Sequence, residues 1–120
     1  MTKKVFGTSH VPLSPAVRAG DFVYVSGQVP VKDGKIVEGD VSVQTVVVLD
    51  NIKALLEETG CTMSDVIKTF VILTDKKDFA AFNTVYASYF PSEPPARTTV
   101  ESGLMVDITV EIDAIAYKPL

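Results

Sequence analysis

Apolar and polar residues recur along this chain with two different periods, and the change of period marks the elements. From Asp40 to Gly60, Val41, Thr45, Val48, Ile52, Leu55 and Leu56 return at helical spacing, with Asp40 as the N-cap and Gly60 as the C-terminal stop. Asp50, Lys53, Glu57 and Glu58 fall on the opposite side, so this longest helix is predicted to lie on a sheet with those four side chains in water. A second helix is predicted over 79–90, where Phe79, Phe82, Tyr86 and Phe90 form one core-facing stripe and Pro91 stops it. Near the C-terminus the period drops to two. Ile108, Val110, Ile112, Ala114 and Ala116 point one way, and Thr109, Glu111, Asp113 and Ile115 the other.

Shorter strands fill the rest. Phe22–Gln28 follows the turn signal Gly20-Asp21, and Gly27 near its end is expected to mark close approach of another backbone or a ligand. Asp33-Gly34 is a hairpin pair, a first strand is expected over about 5–8, and the β-branched and aromatic run 66–73 reads as another. Strands interleaved with two helices predict an α+β single domain over 1–120, a mixed sheet with both helices packed on one face. The other face, carrying Glu111 and Asp113, must then meet solvent or another subunit, and oligomerisation is the simplest cover.

Composition narrows the function. No apolar run approaches the roughly 20 residues that span a bilayer, so a soluble, cytoplasmic protein with no membrane partner is expected. A net charge of −4, with 11 basic residues scattered along the chain, makes nucleic acid an unlikely partner. Cys61 and His10 are each the single residue of their kind, which leaves no zinc spacing, and no Gly-rich phosphate loop is visible; no cofactor is expected. Ser14 and Ser26 lack a neighbouring histidine base, so a serine nucleophile has no support.

One cation stands out. Pro94 and Pro95 stiffen the approach to Arg97, and Thr98, Thr99 and Val100 after it favour an extended strand, so the guanidinium starts from a defined place. A fixed arginine grips a planar carboxylate through two parallel hydrogen bonds. Taken alone, Arg97 reads more often as a surface or interface ion-pair residue, and Glu111 as an exposed strand acid. Phe79 and Asn83, one helical turn apart, read as a core aromatic and a solvated amide.

Taken together, the segments Val23-Tyr24-Val25-Ser26-Gly27-Gln28-Val29-Pro30, Gly39-Asp40-Val41, Asn51-Ile52-Lys53, Val66-Ile67-Lys68-Thr69, Asp78-Phe79 with Asn83 and Tyr86, Pro95-Ala96-Arg97 and Val110-Glu111-Ile112 resemble the reactive-intermediate deaminase (RidA, or YjgF) family. The resemblance implies a chorismate-mutase-like α+β fold assembled as a homotrimer with three clefts between subunits. It also implies hydrolysis of small 2-imino or enamine acids, such as 2-aminoacrylate, to 2-keto acids and ammonia without metal or organic cofactor. By the same resemblance Arg97 binds the substrate carboxylate and Glu111 positions or activates water. Phe79 and Asn83 line the cleft, and Ser26, Gly27 and Thr99 contact the ligand. The chain departs from the family pattern at Leu13, where many members carry a tyrosine that closes the site, and at Thr99, where many carry cysteine. The segment Ser102–Asp107 replaces a longer loop. These departures leave the reaction type standing and open the substrate. The alternatives are a deaminase for a different enamine acid in a catabolic pathway and a non-catalytic, carboxylate-binding regulatory trimer. Ribonuclease activity attributed to relatives fits poorly with an acidic chain lacking a histidine acid/base pair.

Overall fold

The computed structural model describes residues 2–120. Its strands are β1 (Lys4–Phe6), β2 (Ala16–Ala19), β3 (Phe22–Gln28), β4 (Val31–Lys32), β5 (Lys35–Ile36), β6 (Val66–Leu73), β7 (Ala96–Glu101) and β8 (Val110–Tyr117), and its helices are α1 (Val41–Glu58) and α2 (Phe79–Tyr89). Six strands form one mixed sheet in the order β1-β2-β3-β8-β6-β7, and β4 with β5 makes a separate hairpin. Only β6 and β7 run parallel, joined through α2 as a crossover needs.

The helices end where their residues dictate. The Asp40 side chain accepts from the Val43 amide at 3.0 Å. At the other end Gly60 adopts a left-handed φ of 87°, and the amides of Gly60 and Cys61 return to the carbonyls of Glu57 and Leu56. Both helices cover one face of the sheet. Val48, Leu49, Ile52 and Leu56 of α1 and Phe82 and Tyr86 of α2 share a core with Val23, Val25, Val71, Leu73, Val110, Ile112, Ala114 and Ala116. Asp33 and Gly34 both take positive φ, the geometry of the tight hairpin expected there.

Three expectations change. The first strand lies at Lys4–Phe6 rather than 5–8, and β2 was not foreseen. Its four residues have weak strand propensity, and hairpin pairing with β3 makes it a strand. Phe79 leaves the core stripe and is 46% exposed, because it opens α2 beside the edge strand β7 rather than over the sheet centre. Cys61 is buried, with its sulfur 3.7 Å from the Arg18 guanidinium, which also donates to the carbonyls of Gly20, Thr59 and Lys118.

The uncovered face is apolar for a surface. Tyr24 and Phe70 are 47% and 36% exposed there, flanked by Ile72, Val100 and Ile115. No helix among the described residues is long and apolar enough to cross a membrane.

Candidate active site

Arg97 lies on edge strand β7, opposite Thr69 of β6 in the ladder. Thr69 is fully buried against the helices, so Arg97 and Thr99 share the helix-facing side, while Thr98 and Val100 take the other. Three rings of α2 surround the guanidinium: its central carbon lies 4.8 Å from the Tyr86 centroid, 5.5 Å from Phe82 and 5.6 Å from Phe79. Aromatic faces attract a cation without neutralising it. The one ion pair among the described residues joins Lys118 and Asp65, so Arg97 keeps its charge free for an incoming anion.

Two recesses lie along this part of β7 and α2, one of them lined by Arg97. One, about 350 Å3, is bounded by Arg97, Asn83, Tyr86, Phe90, Pro94 and Pro95. The other, about 260 Å3, is bounded by Phe79, Thr99, Leu73 and Lys76, and the Thr99 hydroxyl is buried without a hydrogen-bond partner. A larger hollow, about 650 Å3, lies elsewhere, between the outer surfaces of the helices beside Lys53 and Tyr89; neither Arg97 nor Glu111 lines it.

Glu111 belongs to a different surface. It pairs with Ile72 between the buried neighbours Val110 and Ile112, which turns it to the uncovered face. In β3 the ladder shifts between Val25 and Gln28, so Ser26 and Gly27 together oppose Asp113. A Cβ added at Gly27 would sit 3.0 Å from Glu111 Cδ and closer still to Oε2. The close approach expected at Gly27 is therefore made by this carboxylate. Ser26 is tied to the preceding loop by its amide to the Pro15 carbonyl at 2.9 Å and its hydroxyl to the Ser14 carbonyl at 2.6 Å. That brings the segment holding Leu13, itself 50% exposed, beside the bulge.

The carboxylates on this face hold protons more tightly than usual. Partial burial raises the Glu111 pKa, and the charge of Asp113 raises it further. Burial also raises Asp113, opposed by Lys68 and by a backbone hydrogen bond from Phe70. A carboxylate raised in this way is better matched to moving a proton near neutrality.

The structure thus groups the sequence candidates into two sets. Arg97, Phe79, Asn83 and Thr99 gather on the helix side, and Glu111, Gly27, Ser26 and Leu13 gather around the β3 bulge. Within one chain Arg97 and Glu111 face opposite sides of the sheet with β6 between their strands. Sequence reasoning missed Phe82 and Tyr86 as partners of the arginine. Their i, i+4 spacing announces a buried stripe, but only the fold aligns that stripe with β7.

The endoribonuclease L-PSP family profile matches residues 6–118. A RutC family protein of Pyrococcus horikoshii is 52% identical over 110 residues, covering 89% of this chain and 87% of its own. Among solved structures, a Rid family protein of Yersinia pestis superposes with a TM-score of 0.93 at 36% identity, covering 97% of this chain and 99% of the other. TdcF of Escherichia coli, solved with bound serine, gives 0.90 at 35% identity, covering 96% and 98%. With a family match across nearly the whole chain and a shared fold, the chain belongs to the endoribonuclease L-PSP family, the YjgF/RidA group.

Proposed function

We propose that this chain hydrolyses small 2-imino and enamine acids, such as 2-aminoacrylate, to 2-keto acids and ammonia, in sites shared between the subunits of a homotrimer. The observation that carries this reading is the caged arginine with no carboxylate partner of its own among the described residues. Arg97 of one copy takes the substrate carboxylate through two hydrogen bonds. Glu111 of another copy, on the face its own chain leaves uncovered, holds the attacking water. Serine, bound by the relative TdcF, supports this ligand class. It carries a carboxylate beside a nitrogen-bearing carbon, as a 2-imino acid does.

The chemistry asks little of the protein. An enamine acid first tautomerises to the imine by taking a solvent proton at its terminal carbon and releasing one from nitrogen. With the imine nitrogen protonated from solvent, water adds to the imine carbon as Glu111 accepts its proton, giving a neutral carbinolamine. Glu111 then returns a proton toward nitrogen as the hydroxyl loses its own, the C–N bond breaks, ammonia leaves, and the carbonyl of the 2-keto acid remains. Holding the acid in an attack geometry recovers up to roughly 7–11 kcal/mol in favourable cases, and a placed carboxylate adds about 10²–10⁴-fold. No metal or organic cofactor enters this sequence.

Shared sites make a sharp test. Differently tagged Arg97→Ala and Glu111→Gln chains are coexpressed and the mixed assemblies isolated. Each isolated mixed trimer restores both groups at one of its three sites, about a third of the total, so the mixed assemblies recover activity that neither variant has alone. Mixed assemblies as inactive as the parents would sink the shared-site reading.

A further inference from the structure

The direction of the Arg97 side chain is set by a closed circuit of contacts. We propose that Thr69 and Tyr86 are positioning residues for carboxylate capture, the hydrogen bond between their hydroxyls fixing the ring that aims the guanidinium. This rests on the reading of Arg97 as the carboxylate anchor. The circuit begins in the backbone, where Thr69 and Arg97 are partners across the β6–β7 ladder. The Thr69 hydroxyl, fully buried, lies 2.7 Å from the Tyr86 hydroxyl. The Tyr86 ring then returns to Arg97, nearer its central carbon than either phenylalanine.

An arginine on an edge strand has several rotatable bonds and, without an ion pair, little to choose among its rotamers. Tyr86 supplies the choice. Its ring is packed between Phe82 at 5.3 Å and Phe90 at 4.7 Å, which restrains its plane, and the bond to Thr69 pins its far end. Burial raises the Tyr86 pKa, so the hydroxyl stays protonated and the tether holds at working pH. The same strand pair that carries the arginine's backbone therefore also sets its head.

The test compares Thr69→Val, Tyr86→Phe, the double variant and Thr69→Ser, using pyruvate as the probe for binding and 2-aminoacrylate generated in situ for turnover. Each single hydroxyl deletion is expected to weaken pyruvate binding and raise KM about tenfold while kcat falls by less than about threefold, the signature of lost ground-state anchoring. Thr69→Ser, which keeps the hydroxyl, restores both within about twofold. The double variant removes both hydroxyls of this pair and so strands neither, and its melting temperature should exceed that of the singles while its affinity stays low. The inference is overturned if the singles melt earlier yet bind pyruvate as the parent does, or if affinity in the double variant follows its melting temperature upward. Arg97→Ala separates the two levels. Unchanged pyruvate binding there overturns the carboxylate anchor itself, whereas lost binding there with intact binding in the hydroxyl variants overturns only the positioning role.

Discussion

On the helix-facing side of the sheet Arg97 is held by three rings of its own chain, whereas on the other side Glu111 stands against a glycine and a second carboxylate on a face its own chain leaves uncovered. The first surface is organised within one chain: strand pairing fixes the arginine's backbone, rings of α2 surround its guanidinium, and a recess opens beside it. The second is a carboxylate opposite Ile72 and against Gly27, on a sheet face that farther along carries Phe70, Tyr24 and Ile115. Burying a charge is costly, which raises both carboxylates; the charge of Asp113 adds to the cost at Glu111, whereas Lys68 and the Phe70 backbone offset part of it at Asp113. A single protomer thus preorganises the surface around Arg97, the half proposed to bind, while Glu111, proposed to handle the proton, lies on the face its own chain leaves uncovered.

That contrast can be broken by dividing binding from turnover. Glu111→Gln is expected to lower kcat by about 10²–10⁴-fold while the 2-keto acid dissociation constant moves less than about threefold. Arg97→Ala should do the reverse in kind, raising that dissociation constant about a hundredfold because a charge-assisted double hydrogen bond is lost. Calorimetry with pyruvate beside steady-state kinetics checks both. If the two variants showed the same profile, the halves would not be functionally distinct.

A smaller change probes only the second half. In Gly27→Ala the new Cβ meets Glu111 Cδ at 3.0 Å, so the carboxylate must swing away. Turnover should fall about tenfold from the misplaced base, with pyruvate binding through Arg97 unaffected. Retained turnover would mean that the placement of Glu111 against the bulge is immaterial.

The smallest effect is a shift of pH rather than of rate. Asp113→Asn removes the negative charge that raises Glu111, so the Glu111 pKa falls and the acidic limb of the kcat/KM profile moves to lower pH. A limb that stays in place, or moves to higher pH, would exclude Glu111 as the titrating base. The sign for stability follows from the same shifts. A carboxyl whose folded-state pKa is raised stabilises the fold below its ordinary pKa, and this contribution is lost as pH rises through the raised value. Acid melting of the Asn variant should therefore show a weaker gain in stability on lowering pH than the parent.

Most of the fold is legible in the sequence. The helical stripe from Val41 to Leu56, the alternation predicted from Ile108 and observed as a strand from Val110, and the Asp33-Gly34 turn each carry a local signal strong enough to survive into the structure. β2 was not legible, since its pairing with β3 rather than its own residues makes it a strand. Phe79 was misread because periodicity reports which residues share a helix face and not how far that helix extends beyond the sheet. For the candidate site, residue types and proline-stiffened context drew attention to Arg97, and family resemblance supplied Glu111.

The sequence by itself determined the elements, the apolar faces and the presence of one well-presented cation, because these follow from short-range stereochemistry and the burial of periodic apolar residues. Only the tertiary structure decided that Arg97 is ringed by α2 while Glu111 looks the other way. Which face of a sheet a residue takes depends on register and on bulges such as the one at Ser26-Gly27, and a shift of a single residue reverses it.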